Sequence, residues 1–243
     1  MSSEFFIAFV LTVIFVTSLL RFTLGFGSAL VAMPLLAMVM DVRVAVPLVA
    51  FIATVIITIL LIKDWSNIQW KSIRWFLLSS IGGLPLGIIF IKGSHESIVK
   101  ICLGVMLILY SSYCLARPKL LRLKTERFSF LFGFLAGVLG GAYNTNGPPI
   151  VVYGMLRQWP AEKFRATLQG FFFPASLFII ASHAVSGLWT REVFRLVLIS
   201  LPAILPALLL ARWLDRFIVN KHAFDRYVHV FLVIVGGLLM VWA

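Results

Sequence analysis

Gly137-Val138-Leu139-Gly140-Gly141-Ala142-Tyr143-Asn144-Thr145-Asn146-Gly147-Pro148-Pro149-Ile150 is the stretch that decides how this chain folds. Its first half is small and apolar, suited to a helix in a membrane. Asn144, Thr145 and Asn146 then offer the backbone competing hydrogen bonds, and Gly147-Pro148-Pro149 cannot continue a helix. Apolar sequence resumes at Ile150 but reaches only Leu156 before Arg157. Seven residues cannot cross a bilayer, which takes about 20. The stretch therefore predicts a broken hairpin that enters the membrane and returns. Thr23-Leu24-Gly25-Phe26-Gly27-Ser28 predicts a second one, between a long apolar segment at 5–22 and a short one at 29–40.

The whole composition agrees with a membrane setting. The chain has 243 residues, 61% of them hydrophobic and 12% charged, with a mean hydropathy of +1.05. Soluble domains run at about 45–50% apolar and 25% charged, so this is an integral membrane protein with room for seven to nine crossings. No soluble catalytic or nucleic-acid-binding domain fits. The net charge of +12 comes from basic clusters between apolar runs, which report orientation rather than a nucleic-acid partner. Cys102 and Cys114 lie twelve residues apart in one apolar segment, about 18 Å along a helix, so they do not pair with each other there. The start, Met-Ser-Ser-Glu, has no basic region ahead of its apolar run and is read as retained rather than cleaved.

The remaining apolar segments fall at 44–62, 73–91, 98–115, 128–143, 167–185, 193–210 and 224–242. The densest basic loop, 116–127, carries Arg117, Lys119, Arg122, Lys124 and Arg127 and is expected in the cytoplasm. Counting outward from it, with each hairpin returning to its own side, puts fifteen basic residues inside and five outside. Arg21, at the tip of the first hairpin, is left unassigned. A second hairpin that crossed only once would reverse this bias in its half of the chain. Both termini are expected outside. All seven tryptophans fall near predicted span ends, where the amphipathic indole is favoured.

The expected fold is an all-α polytopic membrane protein, an inverted repeat of two halves. Residues 1–115 form a hairpin plus three spans, 116–127 a basic cytoplasmic linker, and 128–243 a second hairpin plus three spans. Three spans are odd, so the halves run in opposite directions. Ser80-Ile81-Gly82-Gly83-Leu84-Pro85-Leu86-Gly87 is similar to Ser200-Leu201-Pro202-Ala203-Ile204-Leu205-Pro206-Ala207, as a duplication would leave it. Inverted repeats with matched broken helices point to a transporter's substrate site near the bilayer midplane.

A break at membrane depth must line a cavity or be buried in protein. The short helix after each break presents free N–H groups and a partial positive charge, which suit an anion. Ser28 and Asn146 stand where N-caps belong, and Ser28, Asn144, Thr145 and Asn146 add neutral hydrogen-bond donors. Gly25, Gly27 and Gly147 let backbone amides approach a ligand, and Pro34, Pro148 and Pro149 hold the breaks. No Asp or Glu falls within the middle of a predicted span, so a cation would lack its counter-charge and an anion is the favoured cargo. Arg165 and Gln169, four residues apart, share a helix face. That face either points into the site, or Arg165 anchors at the interface while Gln169 bonds a neighbouring helix. His183 reads as structural rather than as a proton carrier. No metal-ligand spacing, nucleophile motif or cofactor motif is present, so neither an enzyme nor a cofactor is expected.

Gly25-Phe26-Gly27-Ser28-Ala29-Leu30-Val31-Ala32-Met33-Pro34-Leu35-Leu36, the opening stretch above, and Lys163-Phe164-Arg165-Ala166-Thr167 together resemble the paired signature of the sulfite exporter TauE/SafE family of anion permeases. The resemblance covers essentially the whole chain. It implies a bacterial-type inner-membrane carrier for sulfite, organosulfonates or related sulfur-containing or carboxylate anions. The expected partners are a small anion and the lipid bilayer, with a coupling proton or other ion as a further candidate. A membrane scaffold or assembly factor, whose kinked helices pack rather than bind, is the alternative from another class.

Overall fold

The computed structural model describes residues 3–25, 27–64, 70–116, 123, 125–214 and 221–242, and every regular element among them is helical. The chain order is α1 (Ser3–Leu24), α2 (Ser28–Ala37), α3 (Val42–Asp64), α4 (Trp70–Gly93), α5 (Glu96–Ala116), α6 (Phe128–Tyr143), α7 (Gly147–Leu156), α8 (Ala161–Val185), α9 (Arg191–Ser200), α10 (Ile204–Leu214) and α11 (Lys221–Val241). A 3₁₀ turn at Leu201–Ala203 joins α9 to α10. Among the described residues, six stretches are long and apolar enough to cross a membrane, in α1, α3, α4, α5, α8 and the α9–α10 pair. Large apolar side chains such as Leu78, Ile89, Leu109, Leu198, Leu205 and Ile234 stand exposed on the outer faces. That arrangement is costly in water and favourable in lipid, so the chain is a multi-pass membrane protein.

Both predicted breaks interrupt helices. The ten residues of α2 rise only about 15 Å. Nine of them are buried, so this half-helix is enclosed by protein, as interrupted backbone at membrane depth requires. The ends of the second hairpin lie side by side. The Leu123 N–H donates to the Leu156 carbonyl at 2.9 Å, and Arg157 Nη1 donates to the Leu123 carbonyl at 3.0 Å. This closure is what a returning hairpin needs.

Glycine sets the closest helix packing. α4 lies along α6, and a methyl group built on Gly83 or Gly87 of α4, or on Gly133, Gly137 or Gly141 of α6, would collide with the facing backbone. The i, i+4, i+8 spacing on α6 puts these three on one face, the small-residue seam by which membrane helices approach one another. α5 and α11 meet in the same manner: a Cβ on Gly104 would lie 2.6 Å from the Gly236 carbonyl oxygen, and one on Gly236 would lie 3.0 Å from that of Gly104.

The remaining packing follows a reciprocal pattern. α1 packs against α10 as α6 packs against α4, and α3 packs against α9 as α8 packs against α4. α3 and α8 face each other in the interior. The similar segments 80–87 and 200–207 differ in one respect. Pro85 sits inside an unbroken α4, whereas Pro202 lies within the 3₁₀ turn that divides α9 from α10 and Pro206 in the first turn of α10.

Candidate functional site

At the first break α1 ends at Leu24, and Gly25 and Gly27 take φ values of +85° and +91°. Only glycine adopts this conformation without a steric cost, which is why the turn can be so tight. Phe26 lies outside the described residues. The expectation that Ser28 caps α2 does not hold. Gly27 occupies the cap position, and Ser28 is already helical, with its Oγ accepting a hydrogen bond from Arg21 Nη1 at 3.2 Å. The first N–H of α2 to reach back belongs to Val31, at 3.3 Å from the Gly27 carbonyl. Those of Ser28, Ala29 and Leu30 precede it and receive no side-chain cap. Pro34 lies inside α2, well past the break, where it relieves the Leu30 carbonyl of a donor.

The second break is built differently. Asn144 takes the left-handed conformation, with φ 52°, at the end of α6. Its N–H donates to the Gly140 carbonyl at 2.9 Å, and that of Thr145 to Leu139 at 3.2 Å, so the helix end is closed by backbone bonds. Asn146 holds the N-cap position of α7, as expected, but its backbone is helical and its side chain makes no capping hydrogen bond, which corrects that part of the expectation. Pro148 and Pro149 occupy the first turn of α7, where a missing N–H costs nothing. The consequence is an asymmetry: Gly147 is the first-turn residue of α7 with an N–H to offer, whereas α2 keeps three. Asn144 and Thr145 are buried, and Thr145 Oγ1 has no hydrogen-bond partner.

α8 joins the two breaks. Gln169 Nε2 donates to the Gly25 carbonyl at 2.6 Å, while Gln169 Oε1 is buried without a partner. One turn further on, near the midpoint of α8, the ring of Phe172 carries the Arg21 guanidinium at 5.2 Å from its centre. The same ring closes on the second break, since a Cβ built on Gly147 would lie 3.5 Å from Phe172 Cζ. Arg21, Gly25, Ser28, Gln169, Phe172 and Gly147 thus form one continuous cluster. Asn146, which precedes Gly147 in the chain, lies against α6, its Cβ 3.3 Å from where a Cβ on Gly140 would sit. The Arg165 side chain lies outside the described residues.

Arg21 is the residue that the sequence reading left without a role. It is 5% exposed, and its Nε and Nη2 have no hydrogen-bond partner. Among the described residues no other Lys or Arg and no Asp or Glu is buried. The signal was present in the sequence: Arg21 is the only charged residue between Glu4 and Asp41. A charge inside an apolar span is by default functional.

His183 is buried against α6, its Nε2 3.4 Å from the Gly141 carbonyl, one turn beyond Ile179. It is not among the residues at the breaks. A cavity of about 310 Å³ between the starts of α3 and α5 and the end of α4 is lined by Asp41, Arg43, His95 and Glu96 among others, and does not include the break residues. Among the described residues no three or more His, Cys, Asp or Glu are grouped as metal ligands.

Compared with models of known families, residues 10–239 match the one described as sulfite exporter TauE/SafE. No curated protein and no solved structure matches the chain.

Proposed function

Because the chain belongs to the sulfite exporter TauE/SafE family, a family of membrane anion transporters, we propose that it is a secondary permease that moves a small anion by alternating access around a site formed by its two helix breaks. The observation that carries this reading is the meeting of the breaks. Gly25 and Gly147 are 122 positions apart in the chain, yet they contact neighbouring side chains, Gln169 and Phe172, at the middle of α8. A scaffold gains nothing from bringing two interrupted helices to one buried point, whereas a midplane substrate site needs it.

The binding set is Gly25, Gly27, Ser28, Asn144, Thr145, Asn146, Gly147 and Gln169, to which the sequence adds Arg165. Backbone N–H groups of α2 and of Gly147 supply partial positive charge. Thr145 Oγ1, buried and unpartnered, supplies a hydroxyl that folding alone leaves unsatisfied. The cargo class is sulfite, an organosulfonate, or a related sulfur-containing or carboxylate anion. The reciprocal packing of α1–α5 and α6–α11 supports two oppositely oriented halves, 1–115 and 128–243, that rock about the shared α3–α8 centre. The setting is a bacterial-type inner membrane, with both termini outside.

The test is counterflow. Purified protein in liposomes preloaded with unlabelled sulfite should accumulate radiolabelled sulfite transiently and saturably, and a panel of sulfonates, sulfate, thiosulfate and simple carboxylates should compete according to fit. A scaffold gives no saturable exchange with any of them.

A further inference from the structure

Arg21 has one side of its guanidinium fixed and the other free. Nη1 is held by Ser28 Oγ at 3.2 Å, and the guanidinium carbon stands over the Phe172 ring, 5.2 Å from its centre. Nε and Nη2, which are buried and unpartnered, make up the opposite edge. On a guanidinium, the N–H of Nε and one N–H of Nη2 point in parallel along that edge, spaced to meet two oxygens of one oxyanion. A guanidinium does not lose its proton at ordinary pH, so this buried charge is present in the folded protein with no carboxylate among the described residues to offset it. Leaving such a group desolvated and unpaired is expensive.

We infer that Arg21 is the residue that selects the transported anion, binding it through the Nε–Nη2 edge as a two-oxygen face of a sulfite, sulfonate or carboxylate group. The inference rests on the reading of the two breaks as a transport site and adds to it a named counter-charge. Ser28 and Phe172 are positioning residues: one fixes Nη1, the other seats the guanidinium carbon over its ring, so the edge is placed before the ligand arrives. Gly147, first residue of α7, packs at the Cζ edge of the same Phe172 ring, a Cβ built on it lying 3.5 Å from Cζ, so the start of the second half-helix adjoins the ring that carries Arg21. The edge recognises a pair of oxygens, not charge alone. A spherical halide has no second acceptor to offer it, and a lysine in its place offers a point charge without the fork.

The experiment compares wild type with Arg21→Lys in proteoliposomes, using labelled sulfite counterflow competed by methanesulfonate, acetate, chloride and iodide. Wild type is expected to be inhibited by the two oxyanions at concentrations roughly 10- to 100-fold below those needed for the halides, the range that a charge-assisted hydrogen bond provides. Arg21→Lys, with an unchanged thermal midpoint, is expected to lose that discrimination together with most of its sulfite affinity. Wild-type selectivity in Arg21→Lys, or equal inhibition of wild type by halides and oxyanions, overturns the inference while leaving transport standing. If the lysine variant does not fold, the wild-type comparison of oxyanions with halides decides alone. If wild type shows no counterflow, thermal stabilisation of the detergent-purified protein is measured with the same anions. Stabilisation by sulfite but not by chloride retains the Arg21 site and removes transport, and no stabilisation removes both.

Discussion

Gln169 of α8 donates its side-chain amide to the backbone carbonyl of Gly25, 144 positions earlier, at 2.6 Å. The bond ties the break between α1 and α2 to the first long helix after the other break, and no residue between them in sequence hints at it. It also settles what the Gly25 turn costs. A half-buried carbonyl released from the end of α1 would otherwise lack a donor from the protein.

Replacing Gln169 with leucine keeps the volume and removes the donor. The half-buried Gly25 carbonyl then loses its donor, at a cost of up to about 1–3 kcal/mol. The thermal midpoint of the purified variant should fall, and sulfite counterflow should weaken with it. A variant as stable as wild type would mean that Gly25 finds another donor.

Two glycines in the α4–α6 region should respond in opposite ways to the same methyl group. Gly137 faces the Ser80 backbone with no room for a Cβ, while nothing lies within 4 Å of a Cβ on Gly82. Gly137→Ala should separate α4 from α6 and destabilise strongly. Gly82→Ala should be neutral or stabilising by about 0.5–1 kcal/mol, the usual gain in a helix interior. Comparable midpoints for the two variants would contradict the seam.

The helix breaks, the long spans and the membrane setting were legible because they depend on local composition: Gly147-Pro148-Pro149 breaks a helix wherever it stands, and a long apolar run fits lipid whatever its neighbours. The caps were misread for an equally local reason. Ser28 and Asn146 have the chemistry of a cap, but Gly27, free to take φ +91°, became the cap residue of α2, and Asn144 closed α6 by turning left-handed. Of the two readings open for Gln169, its bond to the Gly25 carbonyl is the hydrogen bond to a neighbouring element, made at the end of α1. What no local reading supplied was pairing. The spacing of Gly133, Gly137 and Gly141 announces a close neighbour without saying that it is α4, and Arg21 could be given a place only once Ser28 and Phe172 were seen around it.

Since the side chain of Asn146 does not cap α7, Asn146→Ala should leave the thermal midpoint nearly unchanged. Asn146→Asp preserves size but sets a negative charge beside an anion in a poorly screened interior, where like charges repel by several kcal/mol. Sulfite affinity should therefore fall much further in the aspartate variant than in the alanine one. An aspartate variant that transports normally would place Asn146 away from the ligand.

Asn144 has φ 52°, tolerated by Asn and Gly and unfavourable for a β-branched residue. Asn144→Gly should fold as wild type does, and Asn144→Val should lose about 1–2 kcal/mol of stability. Equal stability of the two would show that the turn relaxes out of the left-handed region.

Orientation is open to reporter fusions. Activity of a cytoplasmic reporter inserted in 116–127, and of a periplasmic one at the C-terminus, is the expected pair. A cytoplasmic C-terminus would remove the opposed orientation of the two halves.

The claim that both breaks serve one site is tested most directly by sulfite counterflow in Ser28→Ala, which alters only the first break, and Thr145→Val, which alters only the second. With both variants folded, the account predicts saturable exchange in wild type and a raised half-saturation concentration in each variant. Wild-type half-saturation in either one, or no saturable exchange in wild type, would contradict it.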